Sequence, residues 1–378
     1  MMLRYSVLAG VLLFVAGSAF GHENADPSQS MPSALRAWYS ADQSDWPEPD
    51  LDDSVDARPL AALPLNPPAA ARTAIESAQV ELGKRLFFEP LLSASGQHAC
   101  ASCHDPDLGW ADGRRFSFGH DRQRGELNSP TILNAGFLSE VFWDGRAASL
   151  EEQAMASILN PVEMAGEPQQ LVTRLQSIEG YRDRFAEAFP GQAISFARVA
   201  SAIAAFVRVQ NTPNTAFDRF MRGDRTALDD QALWGLHLFR TKARCLNCHS
   251  GALLSDGKYH HLGTSFYGVG NFQGRYAVTT EKPDFSAFRT APLRNVSATA
   301  PYMHNGLLDS LDHVLASYNM GWWQNSPSSE AANDPRFAKL SPLIKPLNLS
   351  KDELVALKAF LTALGSGGSK TEPPQLPR

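Results

Sequence analysis

The 378-residue chain has four cysteines, and they fall in two identical patterns: Cys100-Ala101-Ser102-Cys103-His104 and Cys245-Leu246-Asn247-Cys248-His249. A disulfide framework gives no reason for a histidine directly after the second cysteine twice. A zinc site built from all four cysteines would leave both histidines without a task. Covalent haem accounts for every one of them. The two thiols of a motif form thioethers with the haem vinyl groups, and the adjacent imidazole lies under the iron as its proximal ligand. Two such motifs, using every cysteine, predict two covalently bound haem c groups.

The rest of the chain must position these motifs. Composition is that of an ordinary globular protein, 43% hydrophobic and 20% charged, and long enough for two domains with cores of their own. A formal net charge of −6, with no basic run, argues against nucleic-acid binding. Residues 1–21 read as a signal peptide. Arg4 supplies the positive region, Tyr5 to Val15 the apolar stretch, and Ala19-Phe20-Gly21 the cleavage site. That run is short of the about 20 apolar residues a spanning helix needs. The expectation is export to the periplasm.

Residues 22–78 are rich in Pro, Asp, Ser and Ala and read as an extended, partly mobile N-terminal arm, and residues 366–378 as a disordered tail. Between them the patterning is helical. Ser149-Leu150-Glu151-Glu152 predicts a capping box opening a helix through Ile158. Ser195 starts a second helix with Val199, Ile203, Phe206 and Val207 along one side. Thr226 opens a third running to Phe239, and Ser350 caps a fourth carrying Leu354, Leu357, Leu361 and Leu364. Strand signals are sparse. A weak internal repeat sets Gly83-Lys84-Arg85-Leu86-Phe87 before the first motif and Gly235-Leu236-His237-Leu238-Phe239 before the second, with Cys245 following Cys100 by 145 positions. The predicted fold is mainly α: two tandem cytochrome c-like domains, residues 79–225 and 226–365, each wrapping one haem.

Several phrases beside the haem motifs carry a resemblance: Leu82 to Pro90, Asn128-Ser129-Pro130-Thr131, Phe142-Trp143-Asp144-Gly145-Arg146-Ala147, Pro161-Val162-Glu163-Met164, Pro292 to Val296 and Pro301 to Gly306. Over roughly residues 79–362 the sequence resembles the bacterial di-haem cytochrome c peroxidase family, which includes the MauG enzymes. The resemblance implies a peroxidatic haem on His104 and an electron-transfer haem on His249. It places Glu163 and Gln153 in the distal pocket, where a carboxylate can move the peroxide proton between oxygens. It matches His120 to a histidine that blocks the peroxidatic iron at rest in many family peroxidases; a solvated loop histidine is the competing reading. Trp143 matches the tryptophan between the haems, a relay for an electron hole. Tyr318 falls at the second axial position of the His249 haem, the MauG-like choice, with Met320 and, more weakly, Met303 as alternatives. Asn128, with the carbonyls of Thr299 and Pro301, matches a calcium site between the domains.

His304 is expected to hydrogen-bond near the haems or to be a core histidine. His22, His98, His237, His260, His261 and His313 are expected to be structural, and Trp322 with Trp323 to pack under a loop or to form an exit path. The implied activity is an oxidoreductase reducing hydrogen peroxide to water, with electrons from a small periplasmic cytochrome c or cupredoxin. The alternative is a MauG-like enzyme that uses peroxide, through a high-valent di-haem state, to oxidise Trp or Tyr residues of a protein partner. A non-enzymatic electron carrier would not need an acid–base group at a vacant haem face. Dimers are common in the family, so a homodimer is among the implied partners.

Overall fold

The computed structural model describes residues 27–65, 73–265, 273–322, 333, 337, 339–366 and 371–378. The expected signal peptide, His22 and Trp323 lie outside the described residues. The fold is mainly helical. Its elements in chain order are α1 (Pro27–Ser40), α2 (Ala74–Phe87), α3 (Leu150–Leu159), α4 (Pro168–Ser177), α5 (Glu179–Ala188), α6 (Phe196–Arg208), α7 (Ala216–Met221), α8 (Asp230–Arg240), α9 (Tyr276–Thr279), α10 (Leu311–Asn319) and α11 (Lys351–Ala363). One antiparallel ladder of two residues a strand, β1 (Tyr259–His260) on β2 (Phe288–Arg289), pairs Tyr259 with Arg289 and His260 with Phe288. No helix among the described residues is long and apolar enough to cross a membrane.

Buried apolar side chains form two clusters. One runs from Leu82 to Val207, and the other from Phe217 to Leu364 with Leu35, Tyr39, Trp46 and Leu60 added. Each cluster is organised by the same helix crossing. Gly83 of α2 lies against the Ala202 carbonyl of α6, with Phe206 one turn on; Gly235 of α8 lies against the Ala356 carbonyl of α11, with Phe360 one turn on. At either glycine a Cβ would overlap a backbone oxygen, so a close crossing demands glycine there despite its poor helix propensity. The apolar line of α6 is buried as the periodicity predicts, with Val199, Ile203, Phe206 and Val207 all in the core. Ser149 Oγ accepts from Glu152 N at 3.1 Å, but the Glu152 carboxylate reaches back to Ala148 N, so only half of the expected capping box forms. Ser350 and Glu353 form the full box at α11.

Three expectations are corrected. The 22–78 segment is not simply an extended arm. Residues 27–40 form α1, whose Leu35 and Tyr39, one turn apart, bury on the second cluster. Arg36 Nε holds Asp230 at 2.7 Å, and Arg36 guanidinium nitrogens also donate to the Arg225 and Leu228 carbonyls. Pro27, Pro32 and the interleaved serines broke the periodicity from which this helix would have been read. The boundary at 78/79 falls inside α2, which opens at Ala74 behind a Thr73–Glu76 capping box. The helix expected from Thr226 starts at Asp230, because Asp229 caps Ala232 N at 2.7 Å while Thr226 Oγ1 closes a turn on Asp224. In the tail, residues 371–378 carry no helix or strand, and Pro377 sits against Gly180 of α5.

A buried ion pair, Arg294 Nη1 to Asp218 at 2.9 Å, fastens the strap after α1 to the second cluster. Asp218 also accepts from Leu63 N at 2.8 Å, and Arg294 donates to the Ala61 and Ala252 carbonyls. Both charges are paired and hydrogen-bonded, which is the condition for burying them.

Gly83→Ala and Gly235→Ala test the two crossings. Alanine adds about 1 kcal/mol of helix propensity, but overlap with a backbone oxygen costs about 3 kcal/mol. A net loss of about 2 kcal/mol is expected in chemical denaturation for each variant.

Candidate functional site

Each Cys-x-x-Cys-His motif is wound into one tight turn. In the first, Cys103 N and His104 N donate to the Cys100 carbonyl at 3.1 and 3.0 Å; in the second, Cys248 N and His249 N donate to Cys245 at 3.2 and 2.9 Å. None of the four thiols is in a disulfide. Burial pushes the Cys100 and Cys245 thiols up to about 12, so in the unloaded chain they are neutral.

The imidazoles are oriented alike. His104 Nδ1 pairs with the Trp110 carbonyl at 3.1 Å and His249 Nδ1 with the Leu254 carbonyl at 2.9 Å. Trp110 and Leu254 both have positive φ, 61° and 51°, which is uncommon for side chains of their size. In both motifs Nδ1 is the donor and Nε2 is left with the lone pair, the tautomer an iron ligand needs. Burial lowers both histidines' proton affinity, so neither imidazole is cationic near neutral pH. Four thiols outside any disulfide and two pre-oriented imidazoles fit haem c.

Past the first motif the chain builds a polar pocket. The C-cap of α3, Asn160, closes the turn that carries Glu163: Glu163 N, Met164 N and Ala165 N all donate to its carbonyl, and its Nδ2 donates to Glu163 Oε1 at 2.7 Å. Gln153 Nε2 donates to Ser157 Oγ at 3.0 Å, and Ser157 is in turn hydrogen-bonded to Glu163. Gln153 and Glu163 thus belong to one network, which the sequence placed together by resemblance alone; Ser157 and Asn160 were missed, though both lie on or at the end of the predicted helix. Burial raises the Glu163 carboxyl above the usual carboxylate range, with Ser157, Asn160 and Arg146 opposing. Its charge is felt at Cys100 and Cys103, so the pocket adjoins the first motif.

His120 is joined to the same turn through its backbone, its N–H donating to the Glu163 carbonyl at 2.8 Å. Its Nε2 lies 3.4 Å from Asp121, and its buried Nδ1 has no hydrogen-bond partner among the described residues. Asp121 and Arg122 follow it with φ of 53° and 59°, two successive left-handed non-glycine residues, so this loop stores strain.

At the second motif, Tyr318 on α10 is close enough to Cys245 and Cys248 for their charges to be felt at its phenol, which burial, above all, raises. Its hydroxyl makes no hydrogen bond among the described residues, and its ring meets Trp322 edge-on at 5.2 Å. Met320 is 60% exposed at the C-cap of α10. Met303 is partly buried against the second cluster.

Between the halves, Trp143 Nε1 donates to the Asn128 carbonyl at 2.8 Å, and the Trp143 carbonyl accepts from Arg289 N at 2.9 Å. Asn128 N donates to the His304 carbonyl at 2.8 Å, which sets Asn128 beside the segment carrying Thr299 and Pro301. The His304 ring is buried, stacked on Phe288 at 3.6 Å and bonded to the Thr264 and Ser265 hydroxyls at 3.4 and 3.2 Å.

A longer repeat than the one expected emerges here. Asn128 and Arg289, Asn134 and Asn295, Phe142 and Met303, Trp143 and His304, Gly145 and Gly306, and Ser149 and Ser310 are each 161 positions apart. Phe142 and Met303 share φ of 70° and 72°, Asn134 and Asn295 share 61°, and Ser149 and Ser310 both cap helices. The sequence signal was present in the phrases around Trp143-Asp144-Gly145 and His304-Asn305-Gly306, each followed by Ser-Leu. By the same offset Tyr318 takes the place of Ser157.

His260 and His261 take different partners, Asp256 at 3.0 Å and the Ser286 carbonyl at 3.3 Å. Cys248, Asp256 and His260 nonetheless lie within 4.8 Å of one another, a metal-capable grouping the sequence reading did not find; a thioether at Cys248 would remove its thiolate.

Gly119 fixes the approach of the His120 loop, since a Cβ there would overlap the Val162 and Glu163 carbonyls. Gly119→Ala is expected to cost about 1–3 kcal/mol of stability and to push His120 off the Glu163 turn, which haem spectra and denaturation together would read.

Comparison with known proteins adds a family. The model described as "Di-haem cytochrome c peroxidase" matches residues 77–226. The methylamine utilization protein MauG of Methylophilus methylotrophus is 35% identical over 312 residues, 82% of this chain and 89% of that protein. The cytochrome c551 peroxidase of Pseudomonas aeruginosa is 38% identical over 311 residues, 80% of this chain and 83% of that one. Among solved structures, a MauG-like protein associated with microbial copper homeostasis superposes with a TM-score of 0.70 at 27% identity, covering 84% of this chain and 96% of its own.

Proposed function

Because the chain belongs to the di-haem cytochrome c peroxidase family and is an oxidoreductase of that type, we propose that its two halves are tandem haem domains with divided labour, reducing hydrogen peroxide to water with electrons from a small periplasmic redox protein. The observation that carries this reading is the Gln153–Ser157–Glu163–Asn160 network beside the first motif. Export through residues 1–21 and a periplasmic location belong to the same reading.

In each half the two cysteines would hold one haem c and the Nε2 of His104 or His249 its iron; the haem supplies the site where peroxide is reduced and electrons are stored. The protein's own contribution is proton handling. Glu163, ionised, accepts a proton from bound peroxide and returns it to the leaving oxygen, while Ser157 and Asn160 hold the carboxylate in place. Gln153 keeps Ser157 oriented. His120, on a strained loop tied to the Glu163 backbone and with an Nδ1 unpartnered among the described residues, would be suited to bind and release the iron of the first haem. Trp143, bonded to one half through its indole and to the other through its carbonyl, is placed to relay an electron hole.

Asn128, whose Nδ2 is taken by the Arg114 carbonyl, would offer Oδ1 to a calcium ion together with the carbonyls of Thr299 and Pro301. Oxygen-only ligation suits calcium, with water completing the shell.

One observation favours the MauG-like alternative, oxidation of Trp or Tyr residues of a protein partner. Tyr318 lies within electrostatic reach of the second motif's thiols, its hydroxyl without a hydrogen bond among the described residues, whereas Met320 faces solvent. A phenol raised by burial needs a nearby cation to ionise, and ferric iron would be that cation; phenolate ligation lowers the potential and favours storing oxidising equivalents.

Two measurements separate the parts. A glutamate acting as base must be ionised, so the rate of peroxide reaction should rise with pH through an apparent value above that of free glutamate. Glu163→Gln should remove that limb and slow the reaction about 100-fold or more; an unchanged profile sinks the acid–base assignment. In electron paramagnetic resonance, Tyr318→Met should convert the second haem's spectrum while Met320→Leu leaves it as in wild type. The reverse pattern would reassign the ligand, and rapid turnover of a reduced cytochrome c by wild type would favour the peroxidase reading.

A further inference from the structure

Glu140, Tyr259 and Arg275 form a cluster at the junction that the peroxide chemistry above does not use. Tyr259 Oη donates to Glu140 Oε2 at 2.6 Å, and Arg275 Nη2 donates to Glu140 Oε1 at 3.1 Å. The Arg275 guanidinium carbon lies 4.3 Å from the centroid of the Tyr259 ring, and its Nη1 donates to the Asp144 and Gly145 carbonyls at 3.0 Å each. Gly145, at φ 68°, has no room for a Cβ because the Tyr259 hydroxyl fills that space. The phenol therefore rests on backbone two residues from Trp143. A second link runs through the ladder: the Trp143 carbonyl accepts from Arg289 N at 2.9 Å, and Arg289 is the cross-strand partner of Tyr259.

Resting on the proposed peroxide chemistry and its Trp143 relay, we propose that Tyr259 is a redox-active residue that carries the oxidising equivalent from Trp143 toward the surface, with Glu140 as its proton acceptor. In the step, the one-electron-oxidised indole of Trp143 takes an electron from Tyr259. The Tyr259 O–H bond breaks and its proton passes to the Glu140 carboxylate. The products are neutral Trp143, a neutral tyrosyl radical and a protonated Glu140. An electron from the small redox protein, and the proton returning from Glu140, restore the phenol.

The surroundings enforce this coupling. A guanidinium over the ring disfavours a second positive charge on it, so electron loss without proton loss is blocked. The hydrogen bond from Tyr259 holds the Glu140 carboxyl below the ordinary range, so it is ionised and ready to accept. Burial, followed by the Glu140 hydrogen bond, keeps the resting phenol protonated. The Glu140 side chain is 35% exposed, which brings the cluster to the solvent boundary.

The test is freeze-quench electron paramagnetic resonance of the haem-loaded protein mixed with hydrogen peroxide, with haem absorption followed in the same samples. Wild type should give an organic radical signal that narrows when tyrosine is ring-deuterated. Tyr259→Phe, which keeps the ring under Arg275, should abolish it, and Glu140→Gln should slow its formation about 100-fold. If the haems react with peroxide but no tyrosine signal arises, or the signal survives Tyr259→Phe or forms at an unchanged rate in Glu140→Gln, the cluster is a structural clamp and the proposal is overturned. Haems inert to peroxide in wild type would overturn the functional reading and this inference with it.

Discussion

Two main-chain hydrogen bonds hold the junction, and the rest of the site depends on them. Asn128 N–H donates to the carbonyl of His304 in the other half, and Arg289 N–H donates to the carbonyl of Trp143. They are reciprocal: Asn128 stands to Arg289 as Trp143 stands to His304, with the same separation in sequence. Backbone bonds of this kind survive substitution of the side chains they carry. The two halves can therefore differentiate at Trp143 and His304 without losing register. The proposed hole relay would need a fixed gap, and this interlock would fix it from both sides.

Differentiation is where function enters. α3 and α10 are equivalent helices with equivalent caps, yet one carries Ser157 inside a network that steadies a carboxylate, and the other carries Tyr318, whose phenol feels the charges of the second motif's thiols. On the proposed reading, one helix turn in duplicate would serve proton handling in the first half and iron ligation in the second. The orientation of the motif histidines, by contrast, is alike in both halves: a carbonyl on a left-handed residue receives Nδ1–H. The histidine setting is shared by the two halves, and the position one helix on is where they differ.

The cofactor chemistry was legible in the sequence because Cys-x-x-Cys-His is local: five residues contain their own geometry. The helices from Ser195 and Ser350 were legible for the same reason, a cap followed by a long apolar stripe. α1 was not, because its fourteen residues begin with proline and interleave polar groups, and its helicity rests on burying Leu35 and Tyr39 against a core almost 200 positions away. The Thr226 start failed because two acceptable caps stood within one turn, and only packing selects Asp229. Glu163 and Gln153 were identified by resemblance; that they share Ser157 is a tertiary fact no spacing rule encodes. Tyr318 and Met320 were both candidates in the sequence because they are two residues apart; their difference in exposure, Met320 at the surface and Tyr318 partly buried, is a tertiary fact.

Thr212, in the connection between α6 and α7, carries a different kind of lesson. Its N–H donates to Asn134 Oδ1 at 3.0 Å, while its hydroxyl receives Nδ2 of Asn134 at 2.9 Å and Nδ2 of Asn295 at 2.7 Å. In the second half Ser366 N plays the equivalent part for Asn295 at 3.2 Å. A duplicated chain ordinarily inherits two independent modules joined by an indifferent spacer. Here a single hydroxyl of the spacer belongs to both copies, so the duplication is sealed. Neither module can be shuffled, swapped or circularly rearranged as a self-sufficient unit without orphaning an asparagine of its twin.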